Sequence, residues 1–202
     1  GFKAEAVSVK DPSLSKELHL VWAWADHEQP SAGFDYEVVN LLKPFRNDTT
    51  GWALNAHMVP GGRTAFFLAD ASFGWSGGTE LRITLSYQST YAQHALGRVR
   101  VTPGTISDVG LDSLPIADSA WYGTWPYDPE SKYSGYDQIF GPEADSTIDF
   151  GKKYPPSDYS WVVVDGLADG KVNGNLPAGE KVSFAGKRIF VPSDRKAEFS
   201  LG

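Results

Sequence analysis

The sequence contains no cysteine, which excludes disulfides, thiolate nucleophiles, Cys-ligated zinc and haem attached through a Cys-x-x-Cys-His motif. No run approaches the ~20 apolar residues of a membrane-spanning helix, and no apolar-periodic segment is long enough to predict a helix. Basic residues are also scarce: 18 Lys and Arg stand against 25 Asp and Glu, for a net charge of −7. That balance lacks the positive footprint that nucleic acid or an anionic membrane would require. The acidity is uneven, with 9 basic and 10 acidic residues over 1–103 and 9 and 15 over 104–202. All four histidines, at positions 19, 27, 57 and 94, lie in the first part.

What is present points to an all-β chain. Glycine (21) and proline (13) interrupt the sequence often, while 41% hydrophobic and 13% aromatic content is enough for packed cores. The expectation is two β-sandwich units of the jelly-roll or galactose-binding-like kind: residues 1–103, a linker over 104–119, and residues 120–202. The linker, TPGTISDVGLDSLPIADS from Thr102 to Ser119, has small residues, acids and two prolines but no periodicity. The second unit ends in the strand-like Ala197–Leu201. Its sheet would be left with an open edge there, so it reads as truncated.

The strongest local signal is Gly77–Val101. Leu81, Ile83, Leu85 and Tyr87 alternate with polar residues, and Val99 and Val101 alternate with Arg98 and Arg100, predicting two strands around a polar loop. Further strands are predicted at Phe2–Val9, Glu17–Ala25, Phe34–Leu42, after Trp52, and at Thr64–Ala69. In the second unit they fall at Trp121–Trp125, Thr147–Phe150, Trp161–Val164, Val182–Phe184 and Arg188–Val191. Trp22 and Trp24 share a face with Leu18 and Leu20 in a strand apolar on both sides. That pattern makes them core residues of a central strand rather than sugar platforms.

Catalytic motifs are weak. Gly74-Trp75-Ser76-Gly77-Gly78 satisfies the G-x-S-x-G pattern, but a nucleophile elbow needs a helix after it, and a strand follows here. Asp165-Gly166-Leu167-Ala168-Asp169-Gly170 has leucine at the third position of a calcium loop and Leu176 at the twelfth, so the EF-hand pattern fails and the Asp-Gly pairs read as turns. No cofactor is expected in this chain, although the sequence leaves room for a structural calcium held by backbone carbonyls and one carboxylate. Asp26, His27 and Glu28 are adjacent donors whose side chains diverge, and the remaining histidines are scattered, so no metal site is expected. Asn47-Asp48-Thr49 matches a glycosylation sequon, which has meaning only in a secreted eukaryotic chain.

Aromatic residues beside turns are the better lead, because sugar rings stack their apolar faces on Trp and Tyr while polar neighbours fix the hydroxyls. The candidate ligand-binding residues are Trp52, Trp75, Tyr91, Gln93, His94 and Arg98. The competing reading is that Trp52 and Trp75 plug the ends of the sandwich and Arg98 pairs with an acid.

Gly51-Trp52, Gly77-Gly78-Thr79, Leu81 and Gln93-His94-Ala95-Leu96-Gly97-Arg98-Val99-Arg100 carry a family resemblance, as do Phe140-Gly141-Pro142-Glu143, Trp161, Asp169-Gly170 and Phe199-Ser200-Leu201-Gly202. Over most of residues 45–202 the chain resembles a segment of large multidomain planctomycete proteins, which join a cytochrome-c-like module to planctomycete-specific domains of unknown function. Gly123-Thr124-Trp125 departs from the G-P-F usual in that family. The resemblance implies sandwiches beside a secreted redox protein, hence a periplasmic or extracellular setting with other segments of the parent protein as partners, and no haem in these residues. The expected function is a non-catalytic module that binds a polysaccharide or other glycan. The alternatives are a structural module whose sheet is completed by another polypeptide, and a hydrolase using Asp and Glu on a sandwich face.

Overall fold

Period-2 alternation governs most of the ordered backbone in the computed structural model, which describes residues 1–30, 33–42, 50–88, 94–127, 138–155, 158–171 and 182–196. The first strands are β1 (Phe2–Ser8), β2 (Ser15–Glu17), β3 (Leu20–Ala25), β4 (Ala65–Ala69) and β5 (Thr79–Leu85). A short helix α1 (Asp108–Ser113) and β6 (Ala117–Asp118) follow. Then come β7 (Tyr122–Tyr127), β8 (Lys153–Tyr154), β9 (Tyr159–Ser160), β10 (Val162–Val163), β11 (Val182–Gly186) and β12 (Ile189–Phe190). All pairings are antiparallel, in small sheets ordered β2-β1-β5, β3-β4, β6-β12, β10-β7-β11 and β8-β9. The all-β expectation holds at this level. No helix among the described residues is long and apolar enough to cross a membrane.

The chain divides into two compact units. Over the described residues the first comprises 1–30, 36–118 and 189–196, and the second 33–35 and 119–188. In the first unit, β1 pairs with β5 from Phe2 opposite Leu85 to Ser8 opposite Thr79. Ala4 and Ala6 are buried there with Leu18, against Leu81 and Ile83, the face that the β5 alternation predicts. Phe2 stacks on Phe67 of β4 at 4.4 Å between ring centroids.

The larger core of this unit surrounds Trp22 and Ala23, which are 1% and 0% exposed. Val38, Val39, Leu42, Ala117 and Phe190 complete it, with Trp24 and Trp52 packed at its margin. The Trp22 indole N–H donates to the Pro115 carbonyl at 3.1 Å, so its polar edge is satisfied as its rings are buried. Both faces of β3 are covered as expected. Yet its only partner strand among the described residues is β4, so it is not the centre of a wide sheet.

Several expectations are corrected. Phe34–Leu42 is not a strand: Val38–Leu41 forms a 3-10 turn that buries Val38 and Val39 against Trp22. Phe34, Tyr36 and Val38 alternate with Asp35 and Glu37, but the alternation breaks at Val39, where Val38, Val39, Leu41 and Leu42 fit a helical turn as well as a strand. The Val38 N–H at its start donates to Glu28 Oε1 at 2.6 Å. No strand follows Trp52 or covers Val99 and Val101, and Thr147–Phe150 is likewise irregular; there Asp149 Oδ1 accepts the Gly151 N–H at 2.8 Å and closes a turn instead. The stretch expected as a linker carries α1 and β6. Arg195 secures it, donating to the Leu114 and Leu111 carbonyls at 2.8 and 3.1 Å. Ala197–Leu201 and the sequon Asn47-Asp48-Thr49 lie outside the described residues.

In the second unit β7 is central, with Gly123 opposite Val162 on one side and Ala185 on the other. Tyr122, Phe140, Tyr154 and Trp161 are its buried core, backed by Phe150, Tyr159 and Phe184. The Asp165-Gly166 and Asp169-Gly170 pairs form turns in which the glycines take φ of 86° and 68°, as the Asp-Gly reading predicts.

Candidate functional site

A cleft of about 230 Å³ opens on the second unit, walled by Ile148, Phe150, Trp161 and Phe184 and edged by Lys187 and Arg188. Its construction follows from the sheet. β11 delivers Phe184 and then the two cations just past its end, while Trp161 enters beside β10 and is 8% exposed. Phe150 arrives from the turn closed by Asp149. It stacks on Tyr122 at 4.3 Å and meets the Trp161 ring edge-on at 5.1 Å.

The Arg188 guanidinium lies 4.5 Å from the Phe150 centroid, a cation–π contact. Burial holds its pKa below the ordinary guanidinium value, while the charges of Tyr122, Asp149 and Asp35 oppose that shift. Lys187 reaches Asp169 at 2.9 Å and the Trp121 ring at 5.3 Å. Ile148 is 40% exposed and offers the cleft its most accessible apolar surface. The Tyr122 hydroxyl, on the ring that stacks on Phe150, donates to the buried Asp35 carboxylate. Such a site supplies apolar contact and oriented cations for a small ligand.

A second polar cluster lies on the same unit. The Tyr154 hydroxyl donates to Asp145 Oδ2 at 2.8 Å and Lys152 Nζ to Asp145 Oδ1 at 2.5 Å. These hydrogen bonds, from Lys152 first and Tyr154 second, hold the Asp145 carboxyl below the usual carboxylate range. The same bond raises Lys152. Burial, and then the bond to Asp145, raises Tyr154. A lowered carboxyl favours folding above its unfolded pKa and loses that contribution as pH falls through the folded value. Raised Lys and Tyr groups favour folding below their unfolded values and lose it as pH rises through the folded ones. Thermal melts across acid pH, followed by near-ultraviolet circular dichroism, are therefore expected to show a steeper loss for the parent than for Asp145→Asn. Superimposable pH profiles would contradict this assignment.

The residues singled out from sequence are placed differently. Trp52 is half-buried against the Trp22 cluster, and its indole N–H donates to the His27 carbonyl at 3.1 Å. Trp75 is half-buried in the turn before β5, its backbone N–H bonded to Thr79 Oγ1 at 2.7 Å, and its indole nitrogen is buried without a partner among the described residues. In that turn Gly74, Gly77 and Gly78 take φ of 140°, 99° and 112°, which only glycine adopts readily, and Ser76 is an exposed turn residue leading into a strand. His94 and Arg98 are exposed, whereas Tyr91 and Gln93 lie outside the described residues.

The three donors Asp26, His27 and Glu28 diverge as expected. Asp26 Oδ2 accepts the Thr64 N–H at 3.0 Å, His27 Nε2 faces Asn55 at 3.5 Å, and Glu28 caps Val38. Among the described residues no group of three His, Cys, Asp or Glu side chains is placed to hold a metal. Sequence reasoning missed the cleft because its walls come from separate elements. The one local signal was the aromatic-cation spacing of Phe184, Lys187 and Arg188 around the end of a strand.

Comparison with protein-family models, with curated proteins and with solved structures finds no match to this chain.

Proposed function

We propose that the protein is a non-catalytic carbohydrate-binding module, with the Phe184–Ile148 cleft as its binding surface. The observation that carries this reading is the cleft itself, in which the exposed Ile148 and half-buried Phe150 and Phe184 adjoin two fixed cations. The apolar face of a sugar ring sits on Ile148 and Phe184, and the guanidinium of Arg188 and the ammonium of Lys187 take hydroxyl or carboxylate oxygens. A sandwich of the galactose-binding-like kind is the architecture we assign to each unit, and the stacking of Phe2 on Phe67 between strands of two sheets supports it in the first. The parent context we infer is a larger exported protein of the periplasm or cell exterior, a reading that rests on the sequence resemblance.

Affinity gels cast with a panel of neutral and acidic polysaccharides test the proposal. Retention of the parent chain is expected, and the double variant Ile148→Ala/Phe184→Ala is expected to bind about tenfold more weakly through lost apolar contact. No retention on any polysaccharide by folded protein, or retention untouched by the double variant, would sink it.

A further inference from the structure

Arg98-Val99-Arg100-Val101-Thr102 has the alternation of a half-buried strand, yet the fold does not use it as one. Val99 and Val101 are 46% and 47% exposed, and every residue from Gly97 to Val109 is exposed. Residues 95–105 make no hydrogen bond with any described residue, by backbone or side chain. None of them has a positive φ, so no left-handed residue interrupts the stretch. An added Cβ at Gly97 or Gly104 would meet nothing within 4 Å. Among the described residues nothing pairs with the segment's N–H and C=O groups, and in an extended conformation its two exposed valines would share one side and its two exposed arginines the other.

We infer that residues 98–102 are a docking strand for another polypeptide, which adds a β-strand carrying acidic side chains at alternate positions. Backbone pairing would supply affinity and the side chains register, as in other strand-addition complexes. Arg98 and Arg100 project to the same side of an extended chain, so a partner with Glu or Asp directly opposite each gains favourable cross-strand pairs. A second copy is a poor occupant. Antiparallel pairing of the stretch with itself in register places Arg100 opposite Arg100 and the arginines of both strands on one face, a like-charge pairing. Pro103, which has no N–H, ends the ladder on the C-terminal side. This inference stands apart from the glycan reading and concerns the other unit.

The test uses the full chain and two synthetic peptides of equal length, one alternating Glu with Val and one alternating Lys with Val. The Glu peptide is expected to bind at least about tenfold more tightly and to slow amide exchange at residues 98–102; Arg98→Glu/Arg100→Glu should invert the preference. Val101→Pro, which removes one ladder donor from an exposed site with no native bond to lose, should weaken binding while leaving the circular dichroism unchanged. Equal affinity for the two peptides, binding without slowed exchange at 98–102, no binding of either peptide, or a concentration-dependent dimer that protects 98–102 in the free chain would each overturn it.

Discussion

Replacing Trp22 by alanine is expected to destabilise the first unit by about 3–5 kcal/mol, the range for removing a large aromatic side chain from a packed core. Trp22 is 1% exposed and contacts segments that are distant in sequence, the 3-10 turn at Val38–Leu41 and the strands holding Ala117 and Phe190. Those surroundings come from several elements held by their own hydrogen bonds, so they cannot collapse fully into the space left behind. Trp22→Phe separates two contributions. It keeps most of the apolar volume but leaves the Pro115 carbonyl without its indole donor, a loss of about 1 kcal/mol for the hydrogen bond plus that of a small void. Guanidinium denaturation of the two variants provides the comparison. A Trp22→Ala loss no larger than that of Trp22→Phe would show that the cluster is not the keystone described.

Gly141→Ala is expected to cost the second unit about 1–3 kcal/mol by overpacking. An alanine Cβ there would fall 2.4 Å from Tyr154 Cδ1, 2.7 Å from Cγ and 2.8 Å from Cβ, closer than such atoms approach. The ring has little freedom to yield, since Tyr154 is 2% exposed and its hydroxyl is anchored on Asp145. The adjoining turn is also pinned, with Phe140 N–H donating to Glu143 Oε2 at 2.8 Å. Gly104→Ala is the matched control: nothing lies within 4 Å of its added Cβ, and stability is expected to change by no more than a few tenths of a kcal/mol. Thermal unfolding of both variants decides the matter. Equal melting temperatures would remove the steric argument.

Residues whose neighbours are fixed by their own strand were readable from sequence. Leu81 and Ile83 alternate and do face Ala4, Ala6 and Leu18; the run around Trp22 and Trp24 is apolar on both sides and is covered on both. Sequence was silent where the outcome depended on a partner. Val99 and Val101 have the same alternation as β5, but period 2 specifies a strand-like surface and says nothing about which strand will pair with it. Val38–Leu41 became a 3-10 turn because anchoring Val38 on Glu28 and packing on Trp22 outweighed β-branched propensity. The cleft was the least legible feature. Phe150, Trp161, Phe184 and Arg188 converge only after β7 has gathered β10 and β11 about itself, and Trp52 and Trp75 looked equally suited to a ligand before their packing was known.

The return of residues 189–196 to the first unit bears on how the chain is made. Phe190 belongs to the Trp22 core, and Arg195 holds the carbonyls at the end of α1, so the first unit lacks part of its core until the ribosome has delivered those residues. Everything assigned to the second unit between 119 and 188 is synthesised in the interval. The insert can fold on emergence, whereas its host must wait with Trp22 partly uncovered, a window in which exposed apolar surface invites aggregation or chaperone binding.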